Sequence, residues 1–238
     1  MEQLLEKLGL YFADSSHCIA LTGSGGKTTA MVALANHYAQ KGKRVLLSTT
    51  TKLLLPKDCE YGCDTYFLDD RALSYHPSTG EKVFYAHTTY KAVAPALENL
   101  EALLDRYDVV LLEADGSRGK GLKLHQGHDP VVPPFVTATL ALLSLSLLGE
   151  PFEENCFGSE HYRSEFPEER ISFDLYRKLL EHGQGVLKRA QGKTLVLCNQ
   201  SSELDVESYR KLSALVSLSS PIWFGDIHQN LLIYRNPS

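Results

Sequence analysis

The stretch Leu21-Thr22-Gly23-Ser24-Gly25-Gly26-Lys27-Thr28-Thr29 constrains this chain more than any other. An apolar run, Cys18-Ile19-Ala20-Leu21, leads into it, and Ala30-Met31-Val32-Ala33-Leu34-Ala35 continues it as a helix. Strand, glycine loop, Gly-Lys-Thr, helix is the layout of a phosphate-binding P-loop. Glycines let the backbone wrap so that its N–H groups point inward at an anion, and the helix N-terminus adds partial positive charge. Gly23, Ser24, Gly25, Gly26, Lys27, Thr28 and Thr29 are then the expected nucleotide-binding set. In that layout Lys27 reaches the β- and γ-phosphates, and the Thr28 hydroxyl ligates Mg²⁺.

The usual pattern carries a further glycine where this chain has Leu21, so the loop is the shorter Thr-Gly-Ser-Gly-Gly-Lys-Thr-Thr. That form resembles the loops of Mur-type ligases and of some metallochaperone NTPases. A P-loop needs an apolar strand ending in an acid, the Walker B partner that holds Mg²⁺. Val109-Val110-Leu111-Leu112 runs into Glu113 and then Asp115. Side chains alternate along a strand, so both acids emerge on one face. Either can serve the metal while the other orients water, and Lys27, Glu113 and Asp115 form the expected catalytic set. Gly116 makes an acid-x-x-Gly step whose N–H suits a γ-phosphate.

Three other segments fall near this site if the strands are parallel, because ligands then sit beyond their carboxyl ends. Thr49-Thr50-Thr51-Lys52 closes the strand after the P-loop helix, and Thr50, Thr51 and Lys52 are candidate substrate contacts. Ser117-Arg118-Gly119-Lys120-Gly121-Leu122-Lys123 places three cations among glycines, and Arg118 and Lys123 suit a second anion such as a phosphorylated or carboxylated substrate. Cys198-Asn199-Gln200 ends a late strand where guanine-specific NTPases carry Asn-Lys-x-Asp. Asn199 can touch the base, but Ser202 stands at the Asp position and Asp205 beyond it, so ATP against GTP stays open. His125, His128 and Asp129 could ligate metal, but their spacing is unspecific. His128-Asp129-Pro130-Val131-Val132-Pro133 reads as a rigid turn-bearing loop.

The 238 residues are 43% apolar and 22% charged, enough for a globular core and unlike a disordered chain. A net charge of −5 without blocks of like sign argues against a general nucleic-acid binder. Met1 to Leu8 reads as a short amphipathic helix and lacks the basic region and apolar core of a signal peptide. The longest nearly apolar run, Ala138 to Leu148, is too short to span a bilayer. A soluble cytoplasmic protein without membrane or nucleic-acid partners is the expectation. Five scattered cysteines do not form a disulfide framework. Cys59 and Cys63, four apart in a loop, could hold a metal or chalcogen but read more simply as loop residues.

Strands and helices alternate along the chain, which predicts an α/β fold with three layers and a mostly parallel sheet. Strands are expected at Lys43–Ser48, Thr65–Leu68, Lys82–Ala86, Tyr107–Gly116 with the acids at its exit, Thr137–Leu148, Lys193–Asn199 and, last, Ile222–Gly225. Helices are expected at 96–106, 172–190 and 203–217. Residues 1–238 read as a single nucleotide-binding domain with a small insertion around 56–92.

Taken together, the blocks resemble the selenium-dependent hydroxylase accessory proteins called YqeC. The resemblance rests on Thr22 to Thr29, Ser48-Thr49-Thr50-Thr51-Lys52, Leu112-Glu113-Ala114-Asp115-Gly116-Ser117 with Lys123, His128 to Pro133, and Asn199-Gln200, in order from residue 18 to about 205. It implies a role in maturing selenium-dependent molybdenum hydroxylases, with a hydroxylase or cofactor-synthesis protein as partner. Three activities fit the residues: a Mg²⁺-dependent NTPase using ATP or GTP, a small-molecule kinase or ATP-dependent ligase, and a nucleotide-gated binding module without turnover. No general base stands out.

Overall fold

Uninterrupted apolar runs cannot alternate between core and solvent, so each must be covered on both faces. In the computed structural model, which describes residues 2–13, 17–201, 206–216 and 218–235, these runs form one sheet of ten strands. In chain order they are β1 (Glu2–Gln3), β2 (Cys18–Gly23), β3 (Val45–Thr49), β4 (Thr65–Phe67), β5 (Lys82–Tyr85), β6 (Val109–Glu113), β7 (Ala138–Ser144), β8 (Lys193–Asn199), β9 (Ile222–Asp226) and β10 (Leu231–Arg235). Across the sheet the order is β1-β10-β9-β8-β7-β2-β6-β3-β5-β4. Strands β2 to β9 run parallel, and β10 is antiparallel to both β9 and β1.

From β2 the chain builds β3, β4 and β5 on one side and returns to β6 beside β2. It then builds β7, β8 and β9 on the other side. Such a reversal leaves a crevice beyond the carboxyl ends of the central strands, and β2, β6 and β7 end there.

The helices that cover the sheet are α1 (Leu4–Phe12), α2 (Lys27–Gln40), α3 (Leu97–Glu101), α4 (Phe173–Glu181) and α5 (Val206–Leu215), and a further single turn spans Phe152–Asn155. On one face Ile19, Leu21, Leu47, Leu111 and Leu142 pack with Leu8 of α1 and Met31 and Leu34 of α2. On the other, Leu143 and Val196 meet Leu175 and Leu179 of α4 and Tyr209 of α5. Val110 and Leu112 meet Leu100 of α3 there. The result is the expected α/β arrangement, helices on both faces of a mostly parallel sheet. Each leucine taken fully out of water contributes about 1.5–3 kcal/mol.

Several elements differ from the sequence expectation. The helix expected over 172–190 ends at Glu181, because His182 is extended and Gly185 packs so closely that a Cβ would lie 2.0 Å from Leu179 O. The helix expected over 96–106 breaks after Glu101 and resumes as a tighter turn at Leu104–Arg106. The strand expected over 137–148 stops at Ser144. Ile222 does not open the last strand: Asn230, at φ 52°, reverses the chain into β10. The strands expected at Thr65–Leu68 and Lys82–Ala86 are present, as β4 and β5. The loop-like segment 116–134 contains a short strand, Leu122–Lys123, paired in parallel with Cys156–Phe157. Ser202, Glu203 and Asp205 lie outside the described residues.

Candidate functional site

The glycine loop leaves β2 between strands that nearly touch it. Gly23 sits at φ 84°, and a Cβ there would stand 2.2 Å from Leu142 O. Gly25, at φ 85°, would drive a Cβ to 2.6 Å from Ser144 N. Only glycine fits both the conformation and the space. Three neighbouring strands or their exits fasten the loop. Ser24 N donates to Leu142 O of β7 at 2.9 Å, and Gly23 N donates to Asp115 Oδ2, just past β6, at 2.9 Å. Asn199, ending β8, donates to Gly25 O at 2.8 Å and accepts from Ile227 N at 2.9 Å. Asn199 is therefore a buried brace beneath the loop, with both ends of its amide used inside the protein.

The backbone N–H groups of Gly25 to Thr29 find no acceptor among the described residues. All five residues line a cavity of about 1280 Å³. The last three are the first residues of α2, whose N-terminal amides have no intrahelical partner and carry partial positive charge.

Lys27 and Thr28 meet the acids of β6. Lys27 Nζ donates to Gly23 O at 2.6 Å and lies 3.0 Å from Asp115 Oδ1 and 4.0 Å from Glu113 Oε1. Thr28 Oγ1 donates to Glu113 Oε2 at 2.9 Å. The two acids look interchangeable in sequence, but the structure gives them different surroundings. Glu113 lines the cavity. Burial raises its pKa against the pull of Lys27 and the Thr28 hydrogen bond. Asp115 is wholly buried behind it. Burial opposes its ionisation too, but Lys27, the His125 hydrogen bond and Lys123 outweigh that and hold its carboxyl well below the ordinary range.

Asp115 is the centre of a buried ionic cluster. Lys123 Nζ lies 3.2 Å from Asp115 Oδ2, 2.5 Å from Asp129 Oδ2 and 2.7 Å from Gly116 O. His125 Nε2 is 2.5 Å from Asp115 Oδ2, and its Nδ1 is 2.9 Å from Gly185 O. Asp115, His125 and Asp129 are close enough together to share a metal ion. The Lys123 ammonium already stands between the two carboxylates. Lys123 is thus part of the protein interior and does not reach the cavity. His125 and Asp129, ten and fourteen residues beyond Asp115, are the members whose spacing in sequence is unspecific. The pairing of Leu122–Lys123 with Cys156–Phe157 holds their segment inward.

The other candidates divide similarly. Thr50 Oγ1 donates to Val131 O at 2.6 Å and ties down segment 116–134, whereas Thr51, Lys52 and Arg118 line the cavity. Cys59 also lines it. Cys59 and Cys63 are unbridged and pack against the core around α2. Burial raises both thiols, Cys63 to about 12, so neither is a ready thiolate at neutral pH.

A family model described as YqeC protein matches residues 19–160, more than half of the chain. The chain belongs to the YqeC family. A protein of Escherichia coli (strain K12), described as uncharacterized protein YqeC, is 28% identical over 237 residues, covering 91% of this chain and 90% of its own. The YqeC match contains the glycine loop, both β6 acids, Lys123, His125 and Asp129. Asn199, the brace from β8, lies beyond it. Among the described residues no helix is long and apolar enough to cross a membrane.

Proposed function

We propose that this chain is a Mg²⁺-dependent nucleoside-triphosphate-binding protein, a P-loop NTPase, acting in the maturation of selenium-dependent molybdenum hydroxylases. The observation that carries the nucleotide reading is the Thr28–Glu113 pair, 2.9 Å apart beside five unpaired loop amides at the wall of one cavity. The maturation role rests on the family resemblance.

A hydroxyl and a carboxylate side by side are hard oxygen donors of the kind Mg²⁺ accepts together with phosphate oxygens and water. Bound there, the ion would supply positive charge against the phosphates. The chain's own residues do the rest. The amides of Gly25 to Thr29 donate to phosphate oxygens that a convex backbone could not reach. Lys27 exchanges Gly23 O for a phosphate. Asp115 and Asn199 hold the loop's shape from behind and touch no ligand.

Calorimetric titration of ATP and of GTP, each with Mg²⁺, tests the reading. One of them should bind, and Lys27→Ala should abolish most of the affinity while the protein stays folded. Unchanged affinity in that variant would refute the assignment, and phosphate release from the same samples separates an NTPase from a non-hydrolysing switch. Selenium content of a molybdenum hydroxylase purified with and without this protein in the host tests the maturation role.

A further inference from the structure

The cavity is larger and more cationic than a nucleotide site alone requires. Pockets for a single small ligand run about 300–1,000 Å³, and this one is about 1280 Å³. Lys52, Lys91 and Arg118 line it, and none has a carboxylate partner among the described residues, in a chain of net charge −5. The cations of segment 117–123 look alike in sequence, yet only one is free. Lys123 is locked between Asp115 and Asp129. Lys120 donates to Glu153 O at 2.7 Å and Cys156 O at 3.2 Å. Arg118 keeps its whole guanidinium, placed over the Phe157 ring at 5.3 Å from the centroid. Its backbone sits at φ 53°, a conformation that non-glycine residues seldom adopt.

We propose that Arg118, with the Phe157 ring behind it in the cavity lining, forms a second anion subsite for the carboxylate or phosphate of a small molecule that shares the cavity with the nucleotide. A guanidinium fork matches either group with two parallel hydrogen bonds, and an aromatic face behind it fixes its plane. The segment is coupled to the glycine loop, because Ser24 Oγ donates to Gly121 O at 2.9 Å. An anion on Arg118 therefore sits on a wall attached to the triphosphate wall. The identity of the neighbouring ligand rests on the nucleotide reading, whereas the anion subsite itself rests on Arg118 and its surroundings.

The probes are inorganic phosphate and citrate, titrated calorimetrically into protein saturated with Mg²⁺ and a non-hydrolysable ATP or GTP analogue. The expected result is one equivalent of probe bound in the wild type, weakened at least tenfold in Arg118→Ala and partly restored in Arg118→Lys. Arg118 is exposed, and an unchanged melting temperature would show that the variants fold. Equal affinity in wild type and Arg118→Ala, absence of probe binding, or displacement of the nucleotide by the probe would each overturn the second subsite. If neither nucleotide binds, the titration is run on free protein. Phosphate binding that survives Lys27→Ala and disappears in Arg118→Ala would then uphold the subsite while the nucleotide reading falls.

Discussion

Replacing Asp115 with asparagine preserves side-chain size and removes one charge from the middle of four contacts: Gly23 N at 2.9 Å, Lys27 at 3.0 Å, Lys123 at 3.2 Å and His125 at 2.5 Å. After the change Lys27 keeps Gly23 O and a single carboxylate, Glu113, 4.0 Å away, whose ionisation burial opposes. Coulomb attraction between unit charges 3 Å apart is about 5 kcal/mol at an effective dielectric constant near 20. Removing one partner of a buried pair costs about 3–5 kcal/mol in practice. That is a large part of a stability of about 5–15 kcal/mol. For a chain of this size it lowers the melting temperature by about 10 °C.

The pH dependence has a definite sign. The Asp115 carboxyl is held below its ordinary value, so its contribution is fully present above about pH 4 and is lost as pH falls toward the folded-state value. The stability difference between wild type and Asp115→Asn should be flat from pH 5 to 8, on this argument, and shrink in stronger acid. Urea unfolding of nucleotide-free protein across that range reads it directly. A loss under about 1 kcal/mol at pH 7, or a difference that widens toward acid, would refute the positioning role. A metal ligand with no structural duty would give that small loss and reveal itself only when Mg²⁺ and nucleotide are added.

Glu113→Gln should act in the opposite direction on stability. It removes a charge that burial disfavours and keeps an acceptor for Thr28, so the melting temperature should rise while Mg²⁺-dependent nucleotide affinity falls at least tenfold. Scanning calorimetry that showed a fall would mean that Lys27 attraction outweighs the burial cost. Asn199→Ala strands Ile227 N–H and frees Gly25 O, which should cost about 1–3 kcal/mol in chemical denaturation and speed amide exchange at Ile227. Asp108 hydrogen-bonds Arg44 through both carboxylate oxygens and is held down to about 2. The pair is about one-third exposed, so Asp108→Asn should cost no more than about 1 kcal/mol at pH 7, and the cost should disappear between about pH 4 and 2.

What the sequence made legible is what local chemistry dictates. The glycine loop, its 14-residue helix and the acid-bearing strand are each continuous in sequence, and their apolar runs and glycines point to one arrangement. The division of labour between Glu113 and Asp115 is not local. It is set by Lys123 and His125, which contact Asp115, and by Asp129 on the far side of Lys123, all on a segment held by the pairing of Leu122–Lys123 with Cys156–Phe157 and by Thr50 on Val131. The cations Arg118, Lys120 and Lys123 are equivalent as letters, and only burial and carbonyl contacts separate them. The helix expected over 172–190 stops at Glu181, before Gly183 and Gly185, where the close approach of Gly185 to Leu179 O is a tertiary contact. β10 was missed because its apolar run follows a turn set by Asn230, a residue that reaches positive φ without glycine.

Two carboxylates separated by one residue thus leave the same strand with opposite electrostatics, and that split says how the site works. Asp115 faces inward, is ionised at neutral pH and contacts Lys27, Lys123 and His125, so its charge is taken up inside the protein. Glu113 faces the cavity, where burial disfavours its charge and Thr28 is its hydrogen-bond partner. An incoming cation would relieve that penalty, and an incoming triphosphate would draw Lys27 off Gly23 O without emptying the cluster behind it. The scaffold would therefore keep its loop shape in either state, and the side chains around the triphosphate that respond to it would be Lys27, Thr28 and Glu113, beside the amides of Gly25 to Thr29. On that argument, nucleotide should strengthen hydrogen-exchange protection at Gly25 to Thr29 far more than around His125 and Asp129, and equal protection of both regions would show that the two acids act as one unit.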